Sequence, residues 1–258
     1  MVFVGVSPTE AELFAYYGHY PVHDNVSHVT LKRYNEILDE LEAYRRTGRM
    51  IDVGCGAGIF LEEAAKRGWE VHGTEYGDRA LVACRSRGIR IIEGALDPAN
   101  YEAGSFDVVC SFEVIEHVPN PKDELRKLME ILRPGGALYM TTPNYQSLGR
   151  ILSGSGWSVV NYPEHLNYFA PRTLRKLAEP FRLRTHRLRT TGVSLVRLRA
   201  KRNDDKAKKD AVMASQEHLR ERLEGSPLLR LAKRSVNWAL DLLGIGDSMK
   251  ATFIKPLR

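Results

Sequence analysis

Arg49-Met50-Ile51-Asp52-Val53-Gly54-Cys55-Gly56-Ala57-Gly58-Ile59-Phe60 reads as a short buried strand, a glycine turn and the start of a helix that continues through Leu61, Ala64 and Ala65. Glycines at 54, 56 and 58 leave the turn without side chains, so a ligand can lie against bare backbone. The helix behind the turn offers unpaired N–H groups and a positive dipole end to an anionic group. The spacing is G-x-G-x-G rather than the G-x-G-x-x-G of dinucleotide folds, and the acidic Asp52 precedes it.

Outward from this stretch the chain alternates. Strands are expected over 49–53, 69–74, 89–93, 106–110 and 136–142, and helices over 58–67, 78–86 and 121–132. Apolar strands alternating with amphipathic helices specify a parallel sheet covered on both faces. Gly68, Gly88 and Pro134-Gly135-Gly136 stand where helix stops belong. Residues 9–47 read as helices that precede the sheet. Beyond Pro143-Asn144 the rhythm breaks into an aromatic, glycine-rich loop region over 145–170. A helix at 171–179 and a strand near 181–190 follow. Two helices are expected over 204–243, and a last short strand over 249–254.

At 258 residues, 43% apolar and 27% charged, the composition is that of an ordinary globular protein. No apolar run is long enough to span a bilayer, and the N-terminus lacks the basic region and apolar core of a signal peptide. Cys55, Cys84 and Cys110 fit neither a disulfide framework nor a paired metal site, so a cytoplasmic, reduced protein is expected. The charge is lopsided: residues 171–258 hold 22 Lys/Arg against 9 Asp/Glu, and residues 1–170 hold 16 against 23. Basic extensions serve anionic partners or are simply solvated.

The second strand ends in Thr74-Glu75-Tyr76. An acid there, about 20 residues beyond the glycine turn, is placed to accept both hydrogen bonds of a ribose diol. The fourth strand opens at its C-terminal end, Phe112-Glu113-Val114-Ile115-Glu116-His117-Val118-Pro119, into the crevice where ligands bind in open α/β sheets.

The glycine turn, Glu75, the Phe106-Asp107-Val108-Val109 to Glu116-His117-Val118-Pro119 segment and Leu132-Arg133-Pro134-Gly135-Gly136 together resemble, in order over residues 49–142, the motifs of class I S-adenosylmethionine-dependent methyltransferases. The likeness is to small-molecule methyltransferases, including the ubiquinone-biosynthesis O-methyltransferases, and Glu164-His165-Leu166-Asn167-Tyr168-Phe169 is similar to a segment of polysaccharide- and secondary-metabolite-pathway relatives. The resemblance implies an α/β, Rossmann-like sheet of seven mostly parallel strands. The last strand is antiparallel, helices cover both faces, and a helical insert precedes the last strand. It implies one domain: a helical lid (1–47), a cofactor core (48–145), an acceptor region (146–200), a basic helical insert (201–247) and the last strand (248–258).

It also implies S-adenosylmethionine as cofactor, held by Asp52, Gly54, Cys55, Gly56 and Gly58, by Glu75 at the ribose and Tyr76 beside the adenosine, and by Phe112 and Glu113. Many relatives place an Asp after the glycine of the third strand; here Ala95 and Leu96 stand there, with Asp97 next, so adenine contacts fall to Ala95 and Leu96. Arg33 is a candidate for the cofactor's carboxylate, since Arg holds carboxylates bidentately. Tyr16, Tyr17, His19, Tyr20 and Tyr34 are candidates for the lid.

Glu116, His117 and His165 are the catalytic candidates, with His165 as a general base for a hydroxyl acceptor. Some ubiquinone-pathway relatives hold a divalent metal with an acid-x-x-acid-His set, here Glu113, Glu116 and His117. A metal is not favoured, because Glu-His is common in metal-independent relatives too.

The expected activity is methyl transfer to a small-molecule acceptor, a hydroxyl of a metabolite or sugar-like compound. The alternatives are an RNA methyltransferase that uses the basic C-terminal part, or a non-catalytic, membrane-associated cofactor-binding protein. Nucleic acid is disfavoured, because no RNA-binding module and no Asn/Asp-Pro-Pro-aromatic tetrad is present. The basic amphipathic stretch 227–243 keeps peripheral membrane contact open, and oligomeric state is open.

Overall fold

The computed structural model describes residues 2–5, 8–18, 26–193 and 227–257. A two-residue strand β1 (Val2–Phe3) precedes helices α1 (Glu10–Gly18) and α2 (His28–Leu41). The alternating core follows: β2 (Arg49–Val53), α3 (Ile59–Lys66), β3 (Glu70–Glu75), α4 (Asp78–Ser86), β4 (Arg90–Glu93), β5 (Phe106–Phe112), α5 (Pro121–Ile131) and β6 (Leu132–Pro143). Then come α6 (Leu148–Ser153), β7 (Asn167–Tyr168), α7 (Pro171–Ala178), β8 (Arg184–Thr191), α8 (Pro227–Leu243) and β9 (Ser248–Ile254). The main sheet has the order β4-β3-β2-β5-β6-β9-β8. Its pairs are parallel except that β9 runs antiparallel to both β6 and β8. This is the expected seven-stranded sheet with its last strand reversed.

The period-2 pattern of the strands builds two cores. Ile51, Val53, Val109 and Leu138 face α5 and α7 with Leu125, Leu128 and Leu174, while Met50, Val108, Cys110 and Tyr139 face α2 and α3 with Leu38, Leu41, Phe60 and Leu61. Helix starts follow capping chemistry: the Ser27 side chain accepts from the Thr30 N–H, and Asn120 accepts from Asp123 ahead of Pro121.

Three features depart from the sequence expectation. Pro134-Gly135-Gly136 lies inside β6 rather than closing a helix. The chain is already extended at Leu132, which pairs with Phe106, and the next pair is Val108 with Ala137, so residues 133–136 bulge. A Cβ on Gly136 would stand 2.8 Å from the Asp107 carbonyl, so only glycine allows this approach. From the bulge Arg133 turns inward and its Nε donates to Asp107 Oδ1 at 2.5 Å, while Asp107 Oδ2 accepts the N–H groups of Arg46, Thr47 and Gly48 at 2.7–2.8 Å. The 145–170 region is more ordered than a loop: it carries α6, and β7 pairs antiparallel with β1.

The third departure is in the insert. The helix expected around 204–224 lies outside the described residues. The helix α8 docks through Leu240 and through polar groups, with Asp241 accepting the Thr190 N–H and Asn237 the Gly192 N–H. Leu231, Val236 and Leu242, apolar residues of the amphipathic stretch, are exposed. Among the described residues no helix is long and apolar enough to cross a membrane.

Candidate active site

A cavity of about 1010 Å³ opens at the C-terminal ends of β2, β3 and β5. The predicted residues Asp52, Gly54, Cys55, Gly56, Glu75 and Tyr76 line it, as do Ala95, Leu96, Phe112 and Glu113. So do Glu116, His117 and His165. Tyr17 and Tyr34 of the expected lid reach it as well, whereas His19 and Tyr20 lie outside the described residues.

Two predicted residues stand apart from it. Arg33 is exposed on α2, and its charge acts on Lys250, whose amine burial first and Arg33 next push down to about 8. The structure therefore gives Arg33 no part in the cavity. Gly58 is essential for a different reason from the one expected. It caps α3 at φ +75°, and a Cβ there would meet Ile89 Cδ1 at 2.4 Å and Cys84 Sγ at 2.8 Å.

The three turn glycines thus divide their work. Gly54 (φ +72°) gives room to Val114, whose Cγ2 would stand 2.7 Å from an added Cβ, and Gly58 gives room to α4 and β4. Gly56 (φ +55°) has open space where its Cβ would be, and is the point of bare-backbone approach. Gly58→Ala is expected to destabilise by about 1–3 kcal/mol, because overpacking adds to an unfavourable backbone. Gly56→Ala should cost about 1 kcal/mol, from the left-handed backbone alone. Urea unfolding of the two variants checks the ranking, and equal or reversed costs would refute this division.

Glu75, the last residue of β3, turns its carboxylate across the glycine turn. Oε2 accepts the Gly56 N–H at 2.7 Å and Oε1 accepts the Tyr76 N–H at 2.7 Å. Beside it, Asp52 is 2% exposed and its Oδ1 is buried without a hydrogen-bond partner among the described residues. Burial first, and then the charge of Glu75, raises its carboxyl well above the ordinary range.

The catalytic candidates come from two segments that main-chain hydrogen bonds bring together. The Glu116 carbonyl accepts the N–H groups of Leu166 and Asn167 at 2.8 and 2.9 Å, and the Asn167 amide donates to the Val118 carbonyl at 2.7 Å. His165 is thereby set against His117, with ring centroids 4.7 Å apart, and one ligand-type atom each from Glu116, His117 and His165 falls within 4.8 Å of the others. Glu113, which matches a metal-holding position of some ubiquinone-pathway relatives, is not part of this cluster. It sits at φ +54° with its N–H donated to Thr141, a backbone state rare for glutamate.

Both histidines use Nδ1 on a backbone carbonyl: His117 on Glu164 at 2.7 Å and His165 on Val159 at 2.6 Å. A carbonyl only accepts, so His165 Nδ1 carries the proton and its Nε2 keeps its lone pair, whereas the His117 ring also meets the Glu113 carbonyl. His117 Nε2 lies 3.8 Å from Glu116 Oε1. The Tyr17 hydroxyl closes a triangle with His117 Nδ1 (2.8 Å) and the Glu164 carbonyl (3.3 Å), tying α1 to this end of the site.

Burial first, with His165 adding to it, lowers His117 to about 4, so the ring is neutral at pH 7. The unfolded chain then takes up a proton before the folded one does. Stability from this group is full above about pH 6.5 and is lost as the pH falls toward 4. An NMR titration of the imidazole checks this, and a midpoint near 6.5 would contradict the burial argument.

Asn120, Asp123, Glu124 and Lys127 also line the cavity and were not anticipated. Their i, i+3, i+4, i+7 spacing was the available signal, since it puts the cap residue Asn120 and the α5 residues Asp123, Glu124 and Lys127 on one side of the helix.

A mostly parallel sheet reversed only at β9, with a glycine-turn cavity at its strand ends, defines the class I methyltransferase architecture. The family model described as "Methyltransferase domain" matches residues 26–186. Among curated proteins the chain is similar to the ubiquinone biosynthesis O-methyltransferase of Bordetella avium, 33% identical over 116 residues, 42% of this chain and 48% of that protein. The chain spans about half the length of the curated relatives it matches. Among solved structures it superposes on an S-adenosylmethionine-dependent methyltransferase from Archaeoglobus fulgidus with a TM-score of 0.58 at 16% identity, covering 89% of this chain and 95% of that one. Geranyl diphosphate C-methyltransferase from Streptomyces coelicolor gives a TM-score of 0.60 at 15% identity, with coverage of 96% and 99%. At such identities the structural likeness speaks for the fold. The chain belongs to the methyltransferase-domain family, the class I S-adenosylmethionine-dependent methyltransferases.

Proposed function

We propose that the protein transfers a methyl group from S-adenosylmethionine to a hydroxyl of a small metabolite or sugar-like compound. The observation that carries this reading is that one cavity holds both the glycine-turn and Glu75 constellation and the Glu116–His117–His165 cluster. The residues fit the cofactor: Gly56 leaves open space for close approach, the Glu75 carboxylate suits a diol, and the buried Asp52 oxygen suits a cationic amino group. When bound, the cofactor supplies an activated sulfonium methyl. Gly56 and Glu75 orient its nucleoside part, Asp52 meets its amino end, and Ala95 and Leu96 give the adenine an apolar wall. Alignment of acceptor and methyl is the main contribution the protein makes to rate.

His165 then acts as the base. Its Nδ1–H is committed to Val159, so Nε2 is the atom that takes the hydroxyl proton. Neutral His117 keeps a second positive charge out of the cluster. His165→Ala is expected to lower turnover on hydroxyl acceptors by at least about 100-fold and to leave S-adenosylhomocysteine affinity intact. Unchanged turnover would remove it from catalysis.

The same three residues support a second reading, in which a divalent cation holds and acidifies the acceptor, because each histidine has its second nitrogen anchored as metal-ligating imidazoles do. Calorimetric titration with S-adenosylmethionine and S-adenosylhomocysteine, followed by assays on sugar hydroxyls and catechols with and without magnesium, separates the readings. Metal-independent turnover supports the base, magnesium-dependent turnover the cation, and absence of cofactor binding overturns both.

A further inference from the structure

Cys55 lies in the glycine turn between Gly54 and Gly56 and lines the cavity. Cys84 is fully buried on α4. Their sulfurs are 3.8 Å apart, and Cys84 Sγ also approaches the Gly56 carbonyl at 3.2 Å. The two residues are 29 positions apart in sequence and meet because Gly58 lets α3 start directly against α4. Nothing in the methyl-transfer reading uses either thiol. Cys110, the third cysteine, is buried on β5, in the same core cluster as the pair.

We propose that Cys55 and Cys84 are a peroxide-responsive thiol pair whose oxidation to a disulfide closes the cofactor site. The proposal rests on the cofactor reading of the glycine turn. Hydrogen peroxide entering the cavity meets Cys55: its sulfur attacks one peroxide oxygen, the O–O bond breaks, and Cys55 sulfenic acid and water form. The Cys84 sulfur then attacks the Cys55 sulfur, forming the S–S bond, and the hydroxide that leaves takes up the released proton as a second water. Two thiols are oxidised by two electrons and one peroxide is reduced to two waters. The hydrogen bond between the two sulfurs, then burial and the charge of Asp52, hold the Cys55 thiol well above its ordinary range, so its attack on peroxide is slow. The same hydrogen bond draws the Cys84 thiol below its ordinary range and favours it as the attacking partner in the second step.

A disulfide is about 2 Å long, so the sulfurs must close by roughly 1.8 Å. The wall at Cys84 is helix and core, whereas Cys55 sits on a turn, so the turn is what moves. Its next residue, Gly56, carries both the open approach point and the N–H donated to Glu75. Drawing Cys55 toward α4 therefore displaces the backbone that the nucleoside part needs. By linkage, a disulfide that weakens cofactor binding is itself disfavoured when cofactor is bound.

The test is peptide mapping of the whole protein after hydrogen peroxide, under non-reducing conditions, alongside calorimetric titration with S-adenosylhomocysteine. The expected results are a crosslinked peptide joining Cys55 and Cys84, at least a tenfold fall in affinity, full recovery with dithiothreitol, and protection when S-adenosylhomocysteine is present during treatment. Cys84→Ser should bind S-adenosylhomocysteine normally and keep that affinity after peroxide. Cys110→Ala, which leaves the pair intact, should respond like the wild type. No crosslink, or a crosslink with unchanged affinity, overturns the proposal. Untreated protein that binds no S-adenosylhomocysteine overturns the cofactor reading and with it the gating, while the mapping still decides whether the pair oxidises.

Discussion

Replacing Asp107 with alanine is expected to destabilise the fold by about 3–5 kcal/mol, the cost of leaving one member of a buried ion pair alone. Asp107 is fully buried at the second position of β5. It serves two groups at once: Oδ1 accepts from Arg133 Nε, and Oδ2 accepts from three consecutive main-chain N–H groups at Arg46, Thr47 and Gly48. Those amides belong to the segment that feeds β2, the strand that carries the glycine turn. Truncation strands a guanidinium that is itself buried, and it leaves three main-chain N–H groups without their acceptor. Asp107→Asn keeps an acceptor oxygen but loses the charge, and should fall between alanine and wild type. Burial alone would raise the Asp107 carboxyl, but Arg133 and the three amides outweigh it and hold the value below the ordinary one. A depressed folded value means that this stability is present above the unfolded carboxylate range near 4 and is lost as the pH falls through the lower folded value. Urea unfolding between pH 7 and pH 3 on wild type and both variants measures this. A loss under about 1 kcal/mol for Asp107→Ala at pH 7 would refute the anchoring role.

This anchor shows why a sequence motif can be visible without its purpose. Phe106-Asp107-Val108-Val109 and Leu132-Arg133-Pro134-Gly135-Gly136 were recognisable as a pair of motifs, yet the tie between them is a contact across a parallel strand pair with a bulge. The bulge puts Arg133 beside Asp107, and bulges have no period to read. The strands β2 to β4 were legible to within two residues, because the glycine turn follows β2 and the helix-stop glycines Gly68 and Gly88 stand just ahead of β3 and β4. The pair β1–β7 was not legible. Two strands of two residues each carry no alternation, and their bonds are main chain to main chain.

The candidate site divides in the same way. Glu75 was legible because its distance from the glycine turn is set by one helix and one strand, whose lengths vary little. His117 and His165 were singled out separately, but their meeting depends on the Glu116 carbonyl accepting two amides from residues 166 and 167. Any residue types offer those amides, so nothing in the sequence marks the contact. The same holds for Tyr17, recognisable as an aromatic on the lid but not as the partner of His117. Gly58 was identified for its lack of a side chain, and the structure assigns that lack to packing against Cys84 and Ile89 rather than to a ligand. A glycine motif alone does not say which glycine faces ligand and which faces protein.

Glu75→Ala is expected to weaken S-adenosylmethionine and S-adenosylhomocysteine binding by more than tenfold, or more than about 1.4 kcal/mol. Two losses combine. The carboxylate would no longer accept from the ribose diol, and charge-assisted hydrogen bonds of this kind are worth more than neutral ones. The Gly56 and Tyr76 amides would also lose the acceptor that now holds the turn in shape. Glu75→Gln separates the two effects, because it keeps an oxygen for one amide and removes the charge. If the charge at the diol dominates, glutamine should bind nearly as weakly as alanine; if the role is mainly to shape the turn, glutamine should recover most of the affinity. The Glu75 charge also raises the neighbouring Asp52 carboxyl, so both variants should make Asp52 easier to ionise. That gain would favour a cationic ligand group and partly offset the loss, so the measured effect is a lower bound on the contribution of Glu75 at the diol. Calorimetric affinity of Glu75→Ala within threefold of wild type would contradict the ribose role, whatever the turnover.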